Sequence, residues 1–203
     1  MSLAPAGAAA ASAAHQTQGE GIVKRRTWIV GLVVAAAIGA VSMLPVNDLS
    51  AAGKKRVTAT LNGLQEDPSV STAAHGTFEA YIDDDAGVVD FVLVYEGLES
   101  NAFMSHIHFG SHDHNGGVSV WLCGPQAPAE RATCPVRSGT VAGTFGPGNV
   151  VGPAGQGISA GELDELIAAI RAGHTYVNVH TQTFPGGEIR GQINNQAQRE
   201  ETR

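Results

Sequence analysis

Charge, aromatic side chains and cysteine are all scarce in this chain of 203 residues. Charged residues make up 15%, aromatic residues 5%, and there are two cysteines. The net charge is -7, and the only basic runs are Lys24-Arg25-Arg26 and Lys54-Lys55-Arg56. Both flank an apolar segment, so neither is a nucleic-acid footprint and no nucleic-acid partner is expected. There is no Gly-x-Ser-x-Gly elbow, no phosphate-binding glycine loop and no His-Glu-x-x-His. Hydrolase, nucleotide and zinc-protease chemistry is therefore disfavoured, and no catalytic set stands out. No internal repeat is present. Cys-x-x-Cys spacing of the zinc type is also missing. Cys123 and Cys134 read as a disulfide closing a short loop that contains Gly124-Pro125 and Pro128, with thiolate metal ligation as the alternative.

Glycine is plentiful, at 26 residues. With so little charge, that suits a turn-rich β domain better than a helical one. Residues 1–27 form an Ala-rich leader that ends in basic residues and reads as disordered. Residues 28–45 are apolar, as in the core of a secretory signal or a signal anchor, and Ser50-Ala51-Ala52 offers small residues for cleavage. Arg25-Arg26-Thr27-Trp28-Ile29 is similar to a twin-arginine signal. Cleaved or retained, the segment places residues 53–203 outside the cytoplasm: secreted, periplasmic or on the cell surface. Membrane contact is expected only through an N-terminal transmembrane anchor, and the protein partner is left open.

From about Arg56 the pattern alternates. Val57, Ala59 and Leu61 make one strand and Thr77–Ile82 a second. The acidic tip Asp83-Asp84-Asp85-Ala86-Gly87 joins that second strand to Val88–Tyr95 as a hairpin. Those aspartates read as solvated turn residues or, less simply, as calcium ligands. Further strands are predicted at Met104–Gly110, Val118–Leu122, Ser138–Phe145, Tyr176–Thr181 and around Ile189, with a polar tail over 194–203. One helix is predicted from Ser159 to Ala172. Ser159 and Glu162 would form a capping box, Leu163, Leu166, Ile167 and Ile170 an apolar stripe, and Gly173 the stop. Many short strands and one late helix predict an all-β, antiparallel sandwich or barrel with the helix before the last two strands.

Two stretches carry chemistry. In Met104-Ser105-His106-Ile107-His108-Phe109, alternation puts Met104, His106 and His108 on one face, with Ile107 and Phe109 on the other. In Tyr176-Val177-Asn178-Val179-His180-Thr181, Val177 and Val179 face the core, while Asn178 and His180 face away. Two imidazoles at i, i+2 on one strand plus a third from another suit chelation of one ion. Imidazole ligation points to copper or zinc. His106, His108 and His180 are the candidate ligands. His112 or His114, in the next loop, would supply a fourth ligand or gate the site. Asn178, Glu188 and Gln192 are candidates to orient the rings through their second nitrogens. Met104 is either a soft ligand or core packing. The alternative is that the histidines only hydrogen-bond neighbouring strands, with Glu188 and Arg190 as a solvated ion pair.

Several of these pieces together resemble the CHRD domain family, named from chordin and found in many exported bacterial proteins. They are Val57-Thr58-Ala59-Thr60-Leu61-Asn62-Gly63 with Glu66 and Pro68; His106-Ile107-His108 with Gly110; Gly173 with Tyr176-Val177-Asn178-Val179-His180-Thr181; and Pro185-Gly186-Gly187-Glu188-Ile189-Arg190-Gly191-Gln192. The resemblance implies a domain over residues 53–193 with an immunoglobulin-like β-sandwich. It brings no settled activity. The order of the histidines is also similar to that in copper-zinc superoxide dismutase, another β-sandwich, by arrangement only.

Three function classes follow. The first is an exported metal-binding protein. The second is an adhesion or protein-binding module with structural histidines. The third is a dismutase-like redox enzyme, disfavoured because residues 53–203 carry 9 Lys and Arg against 17 Asp and Glu, a poor field for drawing in superoxide.

Overall fold

The computed structural model describes residues 54–194. The leader (1–27), the apolar run (28–45) and all but the first residue of the tail (194–203) lie outside the described residues. Among the described residues, no helix is long and apolar enough to cross a membrane.

Eight strands follow the alternation of the sequence: β1 (Lys55–Asn62), β2 (His75–Asp83), β3 (Val88–Glu96), β4 (Ala102–Phe109), β5 (Gly117–Cys123), β6 (Gly139–Phe145), β7 (Thr175–Thr181) and β8 (Ile189–Gln192). They form one antiparallel sheet in the order β5-β4-β7-β8-β1-β2-β3-β6. The sheet curls until its edges nearly meet. Beyond β6, Val150 bridges to Val120 of β5, and the Val151 N–H donates to the Ser119 carbonyl at 2.9 Å. The fold is thus all-β and sandwich- or barrel-like, with few open edge groups.

The core lies inside the curl. Period-2 alternation delivers Val57, Ala59 and Leu61 from β1, Phe78, Ala80 and Ile82 from β2, and Val89, Phe91 and Leu93 from β3. Phe91 sits between Phe78 and Phe145, with ring centroids 6.2 and 6.1 Å away. The acidic tip of the β2–β3 hairpin is committed to cations: Asp83 faces Lys54 at 3.5 Å, and Asp84 binds Arg171 at 2.6 Å. The cysteines are joined as the Cys123–Cys134 disulfide, which ties the end of β5 to the loop before β6.

The helix α1 runs Leu163–Ala172, shorter than the Ser159 start predicted from the capping box. Only half of that box forms: Glu162 accepts from the Ser159 N–H at 2.6 Å, and no side chain caps the helix. Gly161, at φ +89, is the reason. A left-handed residue cannot lie within an α-helix, so the helix starts after it. The apolar stripe is as expected, with Leu163, Leu166, Ile167 and Ile170 all buried. Gly173 ends the helix, its N–H shared between the Ala169 and Ile170 carbonyls.

The polar face of β8 is buried rather than solvated. Glu188 is 0% exposed and Arg190 1%. They do not pair with each other. Glu188 accepts from the Thr72 hydroxyl at 2.9 Å, the Glu99 N–H at 2.9 Å and the Thr181 hydroxyl at 2.7 Å, so one carboxylate joins two loops and β7. Glu188→Gln replaces one accepting oxygen by a donor facing other donors. Hydrogen bonds to a buried charged group are worth about 1.5–3 kcal/mol each, so a loss of about 2–4 kcal/mol is expected. Urea denaturation measures it, and a loss below about 0.5 kcal/mol would show that Glu188 does not hold these loops.

Candidate metal centre

The site is built on the pairing of β4 with β7. His106 stands opposite Asn178, His108 opposite Tyr176 and Met104 opposite His180. Side chains alternate, so these six share the face away from the core, while Ile107, Val177 and Val179, each 0% exposed, hold the other. The histidine face is itself covered. The loop from Gly110 to Gly116 and the turn before β8 fold over it, leaving His106 2%, His108 8% and His180 6% exposed.

One ligand-type nitrogen from each of His106, His108 and His180 lies within 4.8 Å of the others. The covering loops set the rings. His108 donates from Nδ1 to the Gly116 carbonyl at 2.8 Å, and His180 donates from Nδ1 to the Pro185 carbonyl at 3.0 Å. In a neutral imidazole this leaves Nε2 with the lone pair. His108 Nε2 and His106 Nε2 are buried without a hydrogen-bond partner. His180 Nε2 lies 3.2 Å from His106 Nδ1, from which it can accept, and 3.0 Å from Asn178 Oδ1, itself an acceptor.

Aromatic groups pack around the rings. Tyr176 stacks on His108 with centroids 4.7 Å apart and planes 2° from parallel. Trp121 meets His106 edge-on at 4.1 Å. Arg190 lies over the Tyr176 ring, its Cζ 3.5 Å from the centroid. Since β7 runs between β4 and β8, the imidazole and the guanidinium flank the phenol. Arg190 also donates to the carbonyls of Ser111 at 3.0 Å and His114 at 2.9 Å and to Asn115 Oδ1 at 3.3 Å, pinning the loop over the site.

Burial sets the electrostatics. It pushes His106 down to about 3, with the His180 and His108 rings adding to the effect, and His108 down to about 4 against the opposing bond to Gly116. His180 is lowered too, by burial against its bond to Pro185. All three rings are therefore neutral at pH 7 and available as ligands without losing a proton.

The other candidates lie elsewhere. His112 and His114 are exposed on the outer side of the loop. His112 Nδ1 is 2.7 Å from Asp113, and His114 Nδ1 is 3.2 Å from the His112 carbonyl. Of the three groups expected to orient the rings, the structure places Asn178 beside His180. Glu188 is occupied with Thr72, Glu99 and Thr181, and Gln192 donates to the carbonyls of Gly110 and Gly173, both at 2.9 Å.

Glu66 is a buried group with no local signal in the sequence, because Gln65-Glu66-Asp67-Pro68 reads as an open loop. It is 7% exposed, with Oε1 unpartnered. Its carboxyl packs against the backbone of Gly187, where any Cβ would collide with it. Burial raises its pKa to about 7 despite the nearby positive charge of Arg190.

The family model for the CHRD domain matches residues 57–193, from β1 through β8, and the chain belongs to the CHRD domain family. No curated protein and no solved structure matches the chain.

The two kinds of buried acid and base give opposite pH slopes. The depressed histidines bind protons more readily in the unfolded chain, so their contribution is present above pH 6.5 and is lost as the pH falls toward about 4. Glu66, raised in the fold, contributes below about pH 4.5 and loses that contribution as the pH rises through about 7. Glu66→Gln is therefore expected to be more stable than the parent at pH 8 and near-equal to it at pH 4. Thermal denaturation at both pH values checks this, and an equal difference at the two would refute the assignment to Glu66.

Proposed function

We propose that this protein is an exported CHRD-domain protein that binds a transition metal, copper or zinc, through His106, His108 and His180. The observation that carries the reading is the convergence of three buried, neutral imidazoles, with the Nε2 atoms of His106 and His108 buried and unpartnered. A buried polar atom without a partner costs about 1–3 kcal/mol, and two in one cluster call for a ligand. The carbonyls of Gly116 and Pro185 act on the rings as outer-shell groups do in metal sites, holding the tautomer that turns Nε2 inward. The Cys123–Cys134 disulfide supports an oxidising, extracytoplasmic location, in keeping with the signal-like segment at residues 28–45.

The binding-module reading also has an observation in its favour. The bonds that orient His108 and His180 tie the covering loops to the sheet, a structural task in itself. A dismutase-like enzyme would use the same three ligands and an open fourth position, and the acidic balance of the chain counts against it.

Metal analysis by mass spectrometry separates these readings. The full chain, exported without a histidine tag, is expected to carry about one copper or zinc per molecule or to take it up on addition. His108→Ala is expected to lose it while keeping the β-rich circular dichroism of the parent. A parent that takes up neither metal would overturn this reading in favour of the binding module.

A further inference from the structure

We infer that the triad is a soft-metal site selective for Cu(I), with the Met104 thioether as the fourth ligand. The inference rests on the reading of the triad as a metal centre and names the ion and the missing ligand.

The first argument is placement. Met104 lies on the face of β4 that carries His106 and His108, and it is paired directly with His180. Residues directly opposite on antiparallel strands have Cβ atoms about 4.5–5.5 Å apart, well within the reach of a side chain with three free torsions. The strand is adjusted at this point. Ala102 pairs with Thr181 and Met104 with His180, so Phe103 is an extra residue in a β-bulge. Bulges of this kind re-aim side chains beside functional sites. Phe103 turns its ring toward His180, with centroids 6.4 Å apart. On the other side Gly124 leaves room for Met104: a Cβ there would lie 2.9 Å from Met104 Cβ.

The second argument is charge. The triad contains no carboxylate and no thiolate. Glu188, the nearest acid in sequence to β8, spends both oxygens on Thr72, Glu99 and Thr181. A buried cation is already present, because Arg190 stacks on Tyr176, which stacks on His108; its hydrogen-bond partners are neutral oxygens, and the buried Glu66 carboxyl is the acid within range of its charge without a hydrogen bond to it. The cost of burying an ion rises with the square of its charge, so a divalent ion bears roughly four times the desolvation of a monovalent one. Neutral ligands in a dry site next to a guanidinium thus favour a single charge.

The third argument is ligand softness. Imidazole accepts both copper and zinc, whereas a thioether discriminates in favour of Cu(I). Trp121, its ring centroid 4.1 Å from that of His106, adds an aromatic wall that would keep solvent from a readily oxidised ion.

The test is anaerobic competition titration of the full chain with Cu(I) against a Cu(I)-specific chromophoric chelator, and with Zn(II) against a zinc indicator. Met104→Leu and His108→Ala are run alongside, since leucine keeps the volume of methionine. Changes outside the coordination shell alone cost about 10–100-fold in affinity, so loss of the thioether is expected to weaken Cu(I) by at least about tenfold. Zn(II) affinity is expected to change by less than about threefold. Copper X-ray absorption is expected to show one sulfur neighbour in the parent and none in Met104→Leu. Cu(I) bound equally by parent and Met104→Leu, with a nitrogen-only shell, would overturn this inference and leave the triad as a metal site. A parent that binds neither ion would overturn both.

Discussion

The antiparallel register between β4 and β7 governs this structure. Side chains repeat every two residues along a strand, so a slip of one position would turn His180 and Asn178 into the core and Val177 and Val179 out of it. What prevents the slip lies on the reverse side of the sheet. Ile107, Val177 and Val179 are fully buried among Leu61, Phe78 and Leu93 in the interior of the curl. Each would lose about 1.5–3 kcal/mol of hydrophobic stabilisation on exposure. The hydrophobic core thus holds the imidazoles in place without touching them.

A sheet face that is polar and also buried has demanding requirements, and these explain the loops around it. Every burial-starved donor or acceptor needs a partner, so each covering segment supplies carbonyls: Gly116 to His108, Pro185 to His180, Ser111 and His114 to Arg190, Gly110 and Gly173 to Gln192. The atoms that remain without partners in this network are therefore informative. Two of them, His106 Nε2 and His108 Nε2, belong to rings of the triad. Glu66 Oε1, next to Gly187, and Gln192 Oε1 are others.

The same burial that keeps the imidazoles neutral would also limit which ion they could hold. A site made of uncharged nitrogen ligands, walled by Trp121 and Tyr176 and flanked by a buried guanidinium, differs physically from a solvent-open cluster of histidine and aspartate. The exposed loop histidines His112 and His114 show the contrast. They lie close in sequence to the triad, yet they face water on the outer side of the loop.

Alternation and punctuation make much of this protein legible in its sequence. The strand positions, the β2–β3 hairpin, the histidine face of β4 and β7, and the late helix follow from period-2 and period-3.6 patterns that depend on local backbone geometry alone. The Cys123–Cys134 disulfide followed from the compartment implied by the export-like segment. Other features were decided only by the tertiary structure. Whether the polar face met water depended on loops distant in sequence folding back over it, so Glu188 and Arg190 read as a surface pair and are in fact buried and separately bonded. The start of α1 was set by the left-handed turn at Gly161, a single backbone angle that outweighed a good capping box. The loop containing Glu66 carries no mark of burial, because the Gly187 backbone that encloses it lies 121 residues further on. Local sequence determined which side chains share a face. Long-range packing alone determined which face is dry, and so which of its groups can act as ligands.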